Sequence, residues 1–148
     1  NEIVDALVSS RPEKIHVILE RLEAISEFVK LKESETLSSA NKRVSNILKK
    51  AGKISINPID ENLLIENEEI MLHKVLLDLE PKINQYLIKN DFISALKNLV
   101  ILDTPINNFF EKVMVNADDS KIKNNRYSLL FKLRQNLNCV ADISKLAS

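Results

Sequence analysis

One glycine, Gly52, serves the whole chain of 148 residues. Phosphate-cradling loops, dinucleotide-binding turns and strand-to-helix nucleophile turns all need glycine, because their backbone approaches a ligand closely or takes positive φ. None of them can be assembled here, so no catalytic centre is expected. The single cysteine, Cys139, excludes an internal disulfide and a cysteine-rich metal cluster. It fits a reducing compartment, and the cytoplasm is the expected location. The longest apolar runs, such as residues 99–102, fall far short of the roughly 18 residues of a membrane helix. A soluble chain with no membrane partner is expected. His16 and His73 have no neighbours at zinc-ligand spacing and read as surface or boundary residues. Four prolines and few β-branched clusters argue against a turn-rich β fold.

What remains is helical. With 45% hydrophobic residues, the chain can bury one core and is expected to form one domain over residues 1–148. Residues 2–8 read as helical with no initiator methionine before them, as in a piece of a longer protein. Arg11-Pro12-Glu13 starts a helix with proline at its first position; Ile15, Ile18, Leu19, Leu22, Ile25 and Val29 mark its inward face. A second helix over 34–51 turns Leu37, Ala40, Val44, Ile47, Leu48 and Ala51 inward and ends at Gly52, where a left-handed cap is favoured. Asp60 caps a short helix, and residues 67–90 form a longer one that Pro81 should kink or divide. Helical pattern continues over 91–102, Thr104-Pro105 restarts it, and Asp119 caps a last helix reaching about Leu146. Neither a repeat nor a low-complexity segment interrupts the pattern.

Charge is balanced at 21 basic and 21 acidic residues, so no bulk attraction to nucleic acid exists. The distribution is uneven. Lys42, Arg43, Lys49, Lys50 and Lys53 fall in the acid-free window 41–53, and Lys121, Lys123, Arg126, Lys132 and Arg134 in the acid-free window 121–134. Acid gathers over 60–80, where Lys74 is the one basic side chain. Basic helices of this kind can follow a phosphate backbone. Lysines at a helix C-terminus also suit the helix dipole and a solvated surface, and from spacing alone that is the favoured reading of Lys49 and Lys50. Lys42, Asn46, Lys49 and Lys53 share a helical stripe, and Asn46 can bond a phosphate, a ribose or a base edge.

Four segments together carry a family resemblance: NKRVSNILKKA at 41–51, PINNFFEKVMVNADD at 105–119, NNRYSLL at 124–130 and VADISKL at 140–146. In this order and spacing the chain resembles the C-terminal anticodon-binding domain of the β subunit of bacterial-type, heterotetrameric glycyl-tRNA synthetase. The resemblance implies an all-α helical bundle of the DALR anticodon-binding type. It also implies glycine tRNA as ligand, with amino-acid activation on an α subunit partner. ATP and Mg are then cofactors of the parent enzyme, with none in this fragment. The string Asp5-Ala6-Leu7-Val8 is a chance likeness to the motif that names the class. An arginyl-type anticodon domain shares the fold class, but the segment at 41–51 argues against it. A protein-interaction scaffold docking subunits or domains of the synthetase is the alternative, and it requires an exposed apolar patch.

On this resemblance the RNA-contact candidates are Asn41, Lys42, Arg43, Asn46, Lys49 and Lys50, followed by Asn124, Asn125 and Arg126. Arginine offers a planar fork for phosphate or a guanine edge and lysine a point charge, so Arg43 is the expected specificity residue. Arg126 lies near an inward stripe, where an ion pair with Glu111, Asp118 or Asp119 is the competing expectation. The chain departs from the family pattern at Asp103, where a basic residue is common, and at Asn107, where an acid is common. It departs again at Asn116, in place of methionine, and Tyr127, in place of leucine. Phe109 and Phe110 read as core rather than as base-stacking residues, and Tyr127 as packed. Asp118 and Asp119 read as helix-start residues.

Overall fold

A computed structural model describes residues 12–53 and 55–147, and among these no strand occurs. The expected helix at 2–8 and the string at 5–8 lie outside them. Six α-helices follow in order: α1 Pro12–Phe28, α2 Glu33–Ala51, α3 Asn67–Ile88, α4 Phe92–Asn98, α5 Asp103–Lys112 and α6 Ser120–Leu137. Short 3-10 turns stand at Glu61–Leu63, Leu99–Leu102 and Ile143–Leu146. α2 packs on α6 and on the turn Ile143–Leu146, α3 packs on α4, α5 and α6, and α1 lies on α4.

Start and stop chemistry explains most boundaries. α2 begins with Glu33 and Glu35, ends with Lys49 and Lys50, and stops at Gly52 with φ of 74°. The dipole favours both charge placements, and a side chain at that φ would be strained. Asp60, Asp91, Asp119 and Asp142 each accept a backbone N–H at the start of the element that follows. Pro81 lies inside α3, which runs on as one helix, so the expected division does not occur. Leu77 and Pro81 are both exposed, so the ring that removes one helical hydrogen bond lies on the solvent side of the helix.

Three further expectations need correction. α5 starts one residue before Thr104, with Leu102 at its N-cap and no side-chain cap. The last helix ends at Leu137, and residues 138–142 separate it from the terminal 3-10 turn. On α1, Ile15 is buried as expected, but Ala24 and Phe28 complete the inward face, and Ile18, Leu19, Leu22 and Val29 are exposed. The helix is held instead by Arg21, which lies over the Phe92 ring and donates to the Val140 carbonyl at 2.8 Å.

The core unites Leu37 and Val44 of α2, Leu76 of α3, Leu99 and Leu102 of the second 3-10 turn, and Leu129 of α6. α6 is the central element: residues 125–130 are buried all round. Four of those six are polar, and each is bonded. Asn125 clamps Asp60 by accepting from its N–H at 2.8 Å and donating to its carbonyl at 3.0 Å. Arg126 pairs with Glu69 at 2.7 Å and donates to the Met114 carbonyl. Tyr127 donates its hydroxyl to Asn116, and Ser128 donates to the Asn124 carbonyl at 3.1 Å. Bonding of this kind offsets much of the cost of burying polar groups, although Arg126 Nε and Glu69 Oε2 have no protein partner among the described residues.

Candidate nucleic-acid interface

The nine residues singled out from sequence separate into two groups. Lys42, Arg43, Asn46, Lys49, Lys50 and Asn124 are exposed, whereas Asn41, Asn125 and Arg126 are buried. Asn41 donates to the Asn138 side chain at 2.7 Å and ties α2 to the end of α6. Asn125 holds the 3-10 turn through Asp60. Arg126 has the expected carboxylate partner, but it is Glu69 at the start of α3 rather than an acid of the 111–119 segment. These three are therefore reassigned from RNA contact to holding the fold, because their polar atoms are enclosed by protein. The second basic window also breaks up. Lys132 pairs with Glu80 at 2.8 Å, Arg134 stacks on Phe131, and only Lys121 and Lys123 remain beside Asn124.

What the folding does bring together is the C-terminal end of α2 and the N-terminal end of α6. Lys50, Lys53, Ser55, Asn116, Lys123, Asn124 and Tyr127 line an open groove of about 610 Å³. Gly52 lets the chain turn sharply after α2, so that Lys53 joins Lys50 at this groove. Asp119 starts α6 by accepting from the N–H groups of Lys121 and Ile122, which fixes the first turn that carries Lys123 and Asn124. Arg126 and Tyr127 hold the segment 113–119 at Met114 and Asn116, so the wall bearing Asn116 is fixed from beneath. No carboxylate pairs with Lys50, Lys53 or Lys123 among the described residues. Three unpaired ammonium groups around two amides suit an anionic ligand with hydrogen-bonding edges.

A second groove, of about 390 Å³, lies along α2 toward its N-terminus, lined by Thr36, Ser39, Arg43, Asn107, Phe110 and Glu111. Arg43 lies 4.2 Å over the Phe110 ring. Phe109 is fully buried as expected, while Phe110 is half-buried and meets it edge-on at 5.4 Å. Sequence reasoning missed Lys53, Asn107, Phe110, Glu111, Asn116 and Lys123 as site residues. Charge marked two of them, but nothing local distinguishes Asn107 or Asn116 from any surface amide.

Cys139, His16 and His73 are otherwise occupied. Burial pushes the Cys139 thiol up to about 11, which keeps it protonated near neutral pH. His16 lies against Glu20 on the surface, and the largely buried His73 lies against the exposed Glu61. Among the described residues no group of histidine, cysteine and carboxylate side chains could hold a metal ion, and no helix is long and apolar enough to cross a membrane.

Residues 37–143 match the family model described as the DALR anticodon binding domain. The chain is 43% identical to the glycine–tRNA ligase beta subunit of Ralstonia nicotianae over 145 residues, 98% of this chain and 21% of that protein. It is 43% identical to the beta subunit of Dechloromonas aromatica and 39% identical to that of Nitrosomonas europaea, in each case over 98% of this chain and 20% of the relative. The chain thus spans about a fifth of the length of the curated relatives it matches.

Proposed function

Because the chain belongs to the DALR anticodon-binding domain family, we propose that it is the tRNA-binding part of a glycine–tRNA ligase β subunit and holds the anticodon stem-loop of glycine tRNA. The observation that carries this reading is the groove of Lys50, Lys53 and Lys123, whose charges have no carboxylate partner among the described residues. The ammonium groups take the phosphate backbone and set affinity, while Asn116 and Asn124 meet sugar or base edges. Lys42, Asn46 and Lys49 add to the same exposed helix outside the groove walls. In this reading amino-acid activation, with ATP and Mg, takes place elsewhere in a cytoplasmic enzyme that includes an α subunit. The present chain contributes recognition.

The test is a titration with an RNA hairpin carrying the anticodon stem and loop of glycine tRNA at several salt concentrations. Replacing Lys50, Lys53 and Lys123 together by alanine should weaken binding and reduce the slope of log affinity against log salt by about 2. Unchanged affinity and slope would sink the reading. A scaffold role has one observation in its favour, the exposed Ile18, Leu19, Leu22 and Val29 of α1. A contact there is compatible with RNA binding, since α2 and α6 form the basic groove.

A further inference from the structure

The Arg43–Phe110 groove holds charges that the protein leaves unused. Arg43 and Glu111 both line it, yet no ion pair joins them among the described residues. The guanidinium lies instead across an aromatic ring, at 4.2 Å from its centroid. Stacking fixes the plane of an arginine while leaving its N–H fork available. Phe110 is itself braced edge-on by the buried Phe109, so the platform is anchored in the core. Asn107, Phe110 and Glu111 share one face of α5, and Thr36, Ser39 and Arg43 form the facing wall on α2.

We propose that this groove is a nucleobase pocket: one unpaired base stacks on the Arg43–Phe110 platform, and Glu111 with Asn107 reads its edge. Single-stranded RNA is recognised by stacking on aromatic rings and on guanidinium planes. A volume of about 390 Å³ admits one flat heterocycle. The carboxylate selects what enters. Glu111 accepts hydrogen bonds and donates none, so it favours a base with an exocyclic amino group, as carboxylates do with the cytosine amine. Uracil has no such group and is disfavoured. Arg43 and Lys50 stand on one face of α2, seven residues apart, or roughly 10 Å at the helical rise. One short strand can therefore seat its phosphates at Lys50, Lys53 and Lys123 while turning a base toward Phe110.

This inference rests on the RNA-binding reading, and the experiment separates the two. RNA hairpins with all-cytosine or all-uracil loops are titrated against the 148-residue chain at two salt concentrations. The wild type should prefer the cytosine loop by about tenfold. Phe110→Leu keeps an apolar side chain against Phe109, and Arg43→Lys keeps the charge. Each should lose about tenfold in affinity for the cytosine loop with an unchanged salt slope. Glu111→Gln should abolish the preference between loops, because an amide can present either a donor or an acceptor. Thermal melting of each variant checks the fold; Arg43 is exposed and its replacement leaves the core untouched. Salt-dependent binding by the wild type with no effect of Phe110→Leu and Arg43→Lys overturns the pocket alone. Absence of binding to either hairpin overturns the pocket and the RNA-binding reading together.

Discussion

Four consecutive polar side chains of α6, at positions 125–128, sit inside the protein and are spent on its own backbone and side chains. The Arg126–Glu69 pair is the most consequential. Glu69 is fully buried in the first turn of α3, where it also accepts from the Glu66 N–H at 3.3 Å, and α3 meets α6 through it. Removing one member leaves the other charge buried without its counter-ion. Arg126→Met should therefore cost about 3–5 kcal/mol in urea unfolding. Replacing both members by apolar residues should cost less than either single change. A single variant within about 0.5 kcal/mol of wild type, the usual range of a surface substitution, would show that the pair does not carry this load. Asn116 and Tyr127 make a related point: they are hydrogen-bonded to one another across the segment 113–119 and α6.

Aspartate is the cap used throughout, at Asp60, Asp91, Asp119 and Asp142. Two of these starts, Asp60 and Asp119, follow from sequence because each is an aspartate at the head of an expected helical stretch. Thr104 failed as a start because the preceding turn Leu99–Leu102 runs directly into α5. α4 has only seven residues and depends strongly on its cap. The hydrogen bonds from the Ser94 side chain and then its backbone hold the Asp91 carboxyl below its ordinary 3.8. A carboxylate pKa lowered on folding adds stability that is complete above the unfolded value and fades as pH falls through the folded one. Asp91→Ala should thus cost about 1 kcal/mol at pH 7. The gap between wild type and variant should narrow as pH falls below 3.8. Parallel thermal melts at pH 7 and in acid measure it, and a gap that widens in acid would contradict the assignment.

The whole chain carries no net charge, so the proposed affinity for a polyanion must come from placement. Folding neutralises or buries some basic side chains, such as Lys132 and Arg126, and gathers Lys50, Lys53 and Lys123 around one groove. The scaffold for that placement is a core shared by all six helices. The turn Leu99–Leu102 touches α2, α3, α4 and α5, and Leu102 within it is fully buried. Leu102→Ala should cost about 2–5 kcal/mol. Because the core is shared, the loss should appear as one shifted transition by circular dichroism and by tyrosine fluorescence alike. Two separated transitions would contradict a shared core.

By itself the sequence determined the all-helical class, the places of α2 and α3, the absence of phosphate loops and the family resemblance. Those features are carried by periodicity, by one glycine and by short contiguous segments, all of which are local. It also marked Lys50 and Asn124 individually, through charge and through the NNRYSLL segment. Only tertiary structure decided that Lys50 and Asn124 line the same groove, and that Lys53, Asn116 and Lys123 line it with them. It likewise decided that Asn41, Asn125 and Arg126 are structural, because burial depends on which neighbours surround a helix. A helix enclosed on every side, as α6 is over 125–130, loses the polar-out rule by which an asparagine or arginine is read as surface. The stacking of Arg43 on Phe110 is the same kind of fact. It joins residues 67 positions apart that share no pattern in the sequence, and it exists because α2 and α5 pack side by side.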